Sequence, residues 1–343
     1  NAVGGAVVLN GGDPIFTPFA NFSGQASFEY TLSNGVDPDA IANVTVDVAP
    51  APDAPTVTTA ATASGNEDAV IALGPITAAV TDTDGSETLV LRLSGFPAGA
   101  TFSKGAPGVG ADAGKWVISN PADIASLSST PLTMTPPANF NGGFTLSIDT
   151  LVTDTATLST GPASLTTTTT NVATINVTVN AVNDAPVITA SSLNVSEGGT
   201  VLFTAANVGV TDIDSASFTY TVSNVTHGTF QKTADGTTWV DATVFTTADI
   251  AASHVRFVHD GSEAAPTFSI QANDGGAVNN LSNVFAGSVT FTNVNAVPAV
   301  TAASLTVSEG GTVLFTAANV GITDPDSASF TYTVSNVTHG TFQ

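Results

Sequence analysis

Acidic side chains recur at a fixed spacing in this sequence, and their chemistry is that of a ligand set for a hard cation. Three times a glutamate is followed 15 residues later by an Asp-x-Asp triplet, as the differences 82−67, 212−197 and 324−309 show. Calcium takes roughly six to eight oxygen ligands, and two aspartates in one turn can face one ion. The repetition favours calcium over turn capping, the alternative for a single triplet. The residues are Glu67, Asp82, Asp84, Glu197, Asp212, Asp214, Glu309, Asp324 and Asp326.

A proline-ended linker recurs beside these acids and offers further oxygen ligands. Its copies read Pro52-Asp53-Ala54-Pro55, Asn183-Asp184-Ala185-Pro186 and Asn295-Ala296-Val297-Pro298. The candidate calcium ligands within the linkers are Asp53, Asn183, Asp184 and Asn295. Because Ala296 replaces the linker acid, the third site is expected to be weaker. The loops are not EF-hands, since the Gly and the terminal Glu fall at the wrong places.

Other residue types that could carry chemistry are scarce. The chain has no Cys, which excludes disulfides and thiolate metal sites, and its four His lack zinc-protease spacing. His227 and His339 share one repeat position, Thr-His-Gly-Thr, which favours a turn. Trp116 and Trp239 are each either a platform for a sugar ring or a core residue. The sequence predicts that the protein is not an enzyme.

The charge balance excludes several partners. Against 28 Asp and Glu there are 5 Lys and Arg, giving a net charge of −23, which repels nucleic acid and anionic lipid. Of the acids we count 22 Asp and 6 Glu, and the excess of Asp suits turns and calcium loops. No apolar run is long enough for a membrane helix, so no membrane insertion is expected within this sequence.

The chain is built from repeats. Residues 189–231 and 301–343 differ at 4 of 43 positions, and the linkers are separated by 131 residues (186−55) and then 112 (298−186). These are single-domain lengths. The predicted domains are the back half of a domain at 1–50, complete domains at 51–182 and 183–294, and the front half of a further copy at 295–343.

Alternating apolar residues predict strands throughout. The pattern covers 44–48, 89–93, 144–148, 175–179, 218–222 and 268–270. Only Pro121–Leu127 and Thr246–Ala252 could each form one short helical turn. The run Thr166–Thr170 is expected to be an exposed edge or loop. Many short strands in units of this length predict an all-β fold of tandem β-sandwiches.

Taken together, an early Glu, an Asp-x-Asp and a domain-ending Asn-Asp-x-Pro resemble the cadherin arrangement, in which calcium lies at each domain junction. The resemblance implies that Glu67, Asn183, Asp184, Asp212 and Asp214 share one junction. It places Glu197, Asn295, Asp324 and Asp326 at the next. Asp53, Asp82 and Asp84 would belong to a junction whose Glu precedes Asn1.

Two further likenesses refine the family. Residues 56–182, with SGNEDAVIAL, TDTDGSETL and VNAVNDAP, are similar to repeats of giant bacterial RTX-type adhesins exported by type I secretion. Residues 1–50 look like the back half of a related cadherin-like repeat. Residues 187–294, with GVTDIDSASFTYTVSNVTHGTF and FVHDGSEAAPTFSIQANDGG, resemble the chondroitin sulfate proteoglycan repeat, itself cadherin-like. The resemblance implies cadherin-like or Ig-like sandwiches in an extended rod.

These observations favour a calcium-stiffened stalk in a secreted bacterial adhesin, extracellular and at the cell surface, for adhesion or biofilm attachment. The expected partners are neighbouring repeats of the same chain, with any glycan or surface ligand bound outside this sequence. One alternative is a self-assembling filament or matrix protein that contacts other copies of itself. A second is a carbohydrate-binding module that uses Trp116 or Trp239.

Overall fold

The computed structural model describes residues 2–82 and 84–343, so Asn1, where the first predicted domain begins, and Thr83 lie outside it. The chain forms two compact units, Asn1–Val182 and Asn183–Gln343. Strands dominate both units, which confirms the predicted all-β fold. The four predicted domain ranges remain predictions.

The first part of unit 1 is a set of antiparallel strands. They are β1 (Ala2–Val3), β2 (Gly5–Asn10), β3 (Asp13–Pro18), β4 (Gly24–Leu32) and β5 (Ala40–Val48). β4 pairs with both β1 and β5, and β2 pairs with β3. Ala26 and Phe28 of β4 are buried, whereas Gln25 and Glu29 are exposed and Ser27 is half-buried, as a pleated strand with one covered face requires.

The rest of unit 1 packs sheets around one hydrophobic core. Its elements are β6 (Thr56–Thr59), β7 (Thr62–Asn66), β8 (Ile71–Ala72), β9 (Ile76–Ala79), β10 (Glu87–Ser94), β11 (Thr101–Phe102), β12 (Ala106–Pro107), a 3-10 turn (Gly110–Asp112), β13 (Trp116–Ile118), α1 (Pro121–Ser126), β14 (Thr133–Thr135), β15 (Gly142–Leu158) and β16 (Gly161–Asn180). The sheet orders are β12-β13-β10-β15-β16-β7, β11-β14-β8 and β6-β9. Leu91, Ile148 and Ile175 are fully buried between them.

A long hairpin dominates this sheet. β15 and β16 pair from Gly142↔Val179 to Leu158↔Gly161, with one irregularity between Ile148 and Thr150. β7 lies on the other side of β16 but pairs only along Asn176–Asn180. The predicted Thr166–Thr170 edge is confirmed as part of β16, and Thr166, Thr168 and Thr170 are exposed.

Unit 2 begins with a second packed domain. Its elements are β17 (Val187–Ser196), β18 (Thr200–Leu202), a 3-10 turn (Ala205–Asn207), β19 (Val208–Thr211), β20 (Thr219–Thr226), β21 (Gly228–Thr233), β22 (Trp239–Asp241), β23 (Val244–Thr246), α2 (Thr247–Ala251), β24 (Val255–His259), β25 (Thr267–Asn273), β26 (Phe285–Ala286) and β27 (Ser288–Thr292). The sheet orders are β19-β17-β27, β18-β24-β21-β22 and β23-β20-β25-β26. Phe257 of β24 and Ile270 of β25 bury the inner faces of two sheets in one core.

The residues of the second sequence copy form fewer paired strands than those of the first. Within 295–343 the elements are β28 (Ala299–Ala303), a 3-10 turn (Ala317–Asn319) and β29 (Val320–Thr323), and β28 pairs with β29. Phe230 is 3% exposed, whereas its counterpart Phe342 is 51% exposed. Strands β23–β27 cover the first copy, and the described residues provide no such strands for the second.

The helices are short, as the sequence predicts. α1 starts at Pro121 after the cap Asn120, whose side chain accepts from Ala122 N–H. α2 has a capping box between Thr246 and Asp249. Neither described helix reaches the length or apolar character that a membrane crossing needs.

Candidate functional site: carboxylates at the proline-ended linkers

Each linker donates a backbone N–H to an acidic loop, two residues before its final proline. The bonds are Asp53 N to Glu87 Oε1 at 2.7 Å, Asp184 N to Asp214 Oδ2 at 2.8 Å, and Ala296 N to Asp326 Oδ2. The donor is the main chain, so the contact survives the change from Asp to Ala at position 296. The linker and the acidic loop after it are therefore tied together three times within the chain.

A second N–H, four residues before the proline, also reaches a carboxylate. Val182 N donates to Glu67 Oε1 at 2.7 Å, Val294 N to Glu197 Oε2 at 3.0 Å, and Ala51 N to Asp154 Oδ2 at 2.7 Å. Glu67 and Glu197 are held in place by their own N–H groups, which donate to Asn180 O and Thr292 O, each at 2.9 Å. The early glutamates thus lie at the end of their own domain, each bonded to the residue just before the next linker begins.

The Asp-x-Asp triplets form tight turns that orient these acids. The first Asp accepts from the N–H of the second, as Asp82 from Asp84 at 2.9 Å, Asp212 from Asp214 at 2.8 Å and Asp324 from Asp326 at 2.9 Å. This is the local side-chain bond that favours Asp in turns. In unit 2 the second Asp contacts the linker N–H, and in unit 1 Glu87 takes that place.

In unit 1, carboxylates crowd around the first linker. Burial raises the pKa of Glu87, the N–H of Asp53 opposes that shift, and the charges of Asp82, Asp53 and Asp154 raise it further. Oε2 of Glu87 is shielded from solvent and has no hydrogen-bond partner among the described residues. Asp154 is 2% exposed and also accepts from Ser23 Oγ at 3.1 Å. The cluster carries unneutralised negative charge.

Replacing Glu87 with glutamine should stabilise unit 1 in chelator at neutral pH. A raised pKa means that the folded state binds the proton more readily than the unfolded state, so wild-type stability should rise as pH falls through that pKa. Glu87→Gln removes the repelled charge and keeps Oε1 as the acceptor for Asp53, so its melting temperature should be higher and this pH dependence smaller.

Thermal melts from pH 7 to pH 4 in chelator measure both effects. Glu29→Gln is the matched control, because Glu29 is an exposed residue of β4 in the same unit. A lower melting temperature for Glu87→Gln than for Glu29→Gln would contradict the account of repulsion.

In unit 2, the first linker is held by an acid that the sequence analysis missed. Asn183 Nδ2 donates to Asp274 Oδ2 at 2.8 Å and to Asp184 O at 2.9 Å. A Cβ on Gly276 would lie 2.5 Å from the Asn183 amide, so glycine is required for this approach. Oδ2 of Asp212 is shielded and has no hydrogen-bond partner within the described part of the chain.

The missed acids share a position late in, or just after, the strand that pairs with the first strand following the Asp-x-Asp turn. Asp154 lies in the motif Val-Thr-Asp-Thr-Ala, and Asp274 follows β25 in Ala-Asn-Asp-Gly-Gly. Asp154 accepts from Ala51, just before the linker of unit 1, and Asp274 accepts from Asn183 of the first linker in unit 2. Comparing these two strand ends would have identified both.

Carboxylates lie close to the last linker even though Ala296 replaces the linker acid. Asn293 Nδ2 donates to Glu263 Oε2 at 2.7 Å and to Asp326 Oδ1 at 3.2 Å. A hydrogen bond shared with Asp326 raises the pKa of Glu263, and burial and the charges of Asp326 and Glu197 add to it. The N–H of Ala296 lowers the pKa of Asp326. Glu263, which the sequence analysis also missed, supplies a carboxylate where the linker lacks one.

The donor set fits calcium in its chemistry. All the groups are oxygens, most are carboxylates, and Glu87 and Asp212 each hold one shielded oxygen without a protein donor in the described chain. Nevertheless, within residues 2–82 and 84–343 no three Asp, Glu, His or Cys side chains are arranged as a metal-holding group. Asn295 turns its amide to Ala296 O at 2.8 Å, and Glu309 is exposed.

The Trp residues have separate roles. Trp116 is 8% exposed, packs 5.3 Å from Phe102 and donates from Nε1 to Lys104 O, so of the two alternatives it is the core residue. Trp239 is half-buried, and the Arg256 guanidinium lies 4.2 Å from its ring centroid. Its own arginine therefore covers one face of that ring.

The His residues act as turn or core groups. His227 and His339 have φ of 54° and 58°, which confirms the predicted turn. His259 is buried, and its Nδ1 accepts from Gly198 N at 3.2 Å and Gly261 N at 3.1 Å.

Comparison with known proteins identifies one domain. Residues 186–290 match a family model described as Cadherin-like. This match confirms the predicted cadherin-like repeat in the second half of the chain. No curated protein matches the chain.

Several solved structures are similar at low identity. Fibronectin(III)-like modules of Clostridium thermocellum CbhA are 14% identical, with a TM-score of 0.18, over 69% of this chain and 95% of that one. Domains 4–9 of the surface layer protein SbsC are 15% identical, with a TM-score of 0.22, over 91% of this chain and 42% of that one. Rst D1-D2 is 12% identical, with a TM-score of 0.19, over 69% and 99%.

Proposed function

We propose that this chain is a stretch of extracellular spacer repeats, the stalk of a large bacterial surface adhesin, stiffened by calcium at its linkers. The observation that carries the proposal is the recurring bond from a linker N–H to an acidic loop, at Asp53, Asp184 and Ala296. A linker held by the loop beside it has little freedom to bend. The function is then to hold a distal binding domain away from the cell, rather than to catalyse a reaction.

The residues that would hold the ion can be named from their positions in each unit. In unit 1 they are Asp53, Asp82, Asp84, Glu87 and Asp154 around the first linker. In unit 2 they are Asp184, Asp212, Asp214 and Asp274 at the first linker, and Glu197, Glu263, Asp324 and Asp326 at the second. A bound calcium ion would supply positive charge that neutralises these carboxylates. The protein's own contribution is to hold these carboxylates beside a proline-ended linker.

Ligand linkage sets the expected size of the effect. An ion that binds only the folded form stabilises it by RT ln(1 + [Ca]/Kd), about 2.7 kcal/mol at 100-fold over Kd. Bound calcium also reduces the repulsion between carboxylates. This adds to the stabilisation, because the chain carries a net charge of −23. A calcium-poor cytoplasm would leave the chain less stable than the extracellular medium.

Calcium should therefore raise the melting temperature, and chelator should reverse the change. Differential scanning calorimetry in calcium, magnesium and chelator measures this, and small-angle scattering of the same samples measures stiffness. Asp82→Asn should reduce the response of unit 1, whereas Asp39→Asn, in an exposed loop after β4, should leave it intact. A melting temperature and a scattering curve that ignore both calcium and chelator would overturn the proposal.

The predicted alternatives are separable from it. A carbohydrate-binding role now depends on Trp239, whose ring already carries Arg256. A glycan array on the whole chain tests that role directly.

A further inference from the structure

We infer that residues 161–170 of β16 form a self-association edge, at which a second copy of this chain adds its own β16. One side of this stretch pairs with β15 from Gly161 to Thr169. The strand on the other side, β7, begins its pairing only at Asn176. Within the described residues, the backbone of 161–169 pairs with β15 alone. Alternate N–H and C=O groups therefore face outward without a strand partner.

Between Pro162 and the register shift after Thr169, this edge lacks the features that normally protect a free edge. Proteins blunt edges with charges, prolines, bulges or short strands. Residues 163–169 read Ala-Ser-Leu-Thr-Thr-Thr-Thr, without a charge or a proline, and their register with β15 is continuous; Pro162 precedes them, and the register shifts between Thr169 and Ala173. The opposite edge of the same sheet, β12, is two residues long and ends in Pro107. The stretch 163–169 is longer and offers a continuous uncharged backbone for pairing.

The composition of the edge favours a second copy as its partner. Two copies carrying −23 each repel one another over most surfaces, but this stretch is uncharged. Antiparallel pairing of a five-threonine run with itself places Thr opposite Thr, and such pairs stabilise sheets. The protein already uses this pair, at Thr153–Thr166 (3.1 Å) and Thr226–Thr267 (2.9 Å) between hydroxyls. The contact is two-fold symmetric, so it closes as a dimer.

Leu165 gives the edge an apolar contact as well. It is 53% exposed, although it lies opposite the buried Asp154 on β15. A strand added beside β16 would cover part of its side chain and exclude water from the new hydrogen bonds. The inference rests on the sheet edge and not on calcium, so all its tests are done in chelator.

Sedimentation equilibrium of the whole chain tests the association. The mean mass should rise from 34.1 kDa towards the dimer as concentration increases to about 1 mM, the weak end of specific association. The double variant Thr166→Lys with Thr168→Lys should remain monomeric with an unchanged melting temperature. Thr178→Lys is the control, since Thr178 is exposed but paired on both sides, with Gly143 and Ser64. The added lysines make the net charge of each copy smaller, so a loss of dimer would come from charge placed on the edge and not from repulsion between whole copies.

Disulfide trapping locates the contact, because the chain has no Cys of its own. Single cysteines at each position from 164 to 170 should form interchain dimers on mild oxidation, with the highest yield near the centre. Thr178→Cys should not. A wild-type chain that is monomeric up to the highest concentration, or a lysine variant that still dimerises, would overturn the inference. Equal trapping at Thr178 and Thr167 would do the same.

Discussion

Phe203→Ala is expected to destabilise the cadherin-like domain of unit 2 by about 4 kcal/mol, within the range for a buried Phe truncated to Ala. The Phe203 ring is fully buried, with its centroid 5.4 Å from Phe230, 5.7 Å from Phe245 and 6.3 Å from Phe268. The substitution removes three edge-on ring contacts and leaves a cavity where the ring was. Such a loss is a large fraction of the stability of one domain.

Hydrogen exchange followed by mass spectrometry measures this loss domain by domain. Amides of β20 and β25 should exchange roughly a thousand-fold faster in the variant, since about 1.4 kcal/mol corresponds to a factor of ten. Amides of unit 1 should not change. Comparing the exchange rates of the two units shows whether stability is lost only in the cadherin-like domain or throughout the chain.

The chain contains its own matched control for this substitution. Phe315 lies in the same octapeptide, Thr-Val-Leu-Phe-Thr-Ala-Ala-Asn, but it is only half-buried and its ring neighbours are Tyr332 and Phe342. Phe315→Ala should cost less than about 1 kcal/mol, closer to a surface substitution. Equal losses for Phe203→Ala and Phe315→Ala would show that the burial of Phe203 is not what stabilises this domain.

His259→Leu should be the next most damaging change, at roughly 3 kcal/mol. The imidazole is 3% exposed, its Nδ1 accepts two backbone N–H groups, and its Nε2 lies 3.1 Å from Ala264 O. This arrangement places the ring proton on Nε2. Leucine fills the volume but leaves these main-chain groups without a partner, and each buried unpaired group costs about 1–3 kcal/mol.

The effect of His259→Leu should extend to the last linker. One of its donors, Gly198, follows Glu197, whose side chain accepts from Val294 N–H. The Val294 amide should therefore exchange faster in His259→Leu, which a urea melt alone would not reveal. His254→Leu is the control, because His254 is half-buried and should cost about 0.5 kcal/mol. Retention of Val294 protection in His259→Leu would contradict the link between the histidine and the linker.

Patterns among neighbouring residues in the sequence predicted most of the strands, helices and turns. The alternation at 44–48, 89–93 and 144–148 lies in β5, β10 and β15, because a strand with one buried face must alternate. The two short helical turns appear as α1 and α2. The Asp-x-Asp turns could also be predicted, since their bonds join residues two apart in sequence.

The sequence by itself determined which residues recur and therefore which acids flank each linker. Only the tertiary structure decided which distant groups join them. Asp154 meets Ala51 across 103 residues, and Asp274 meets Asn183 across 91. Strand pairing brings such groups together, and pairing depends on the packing of whole sheets rather than on neighbours in the chain. The same dependence explains how nearly identical segments, 189–231 and 301–343, differ in burial: the covering strands are present for the first and not among the described residues for the second.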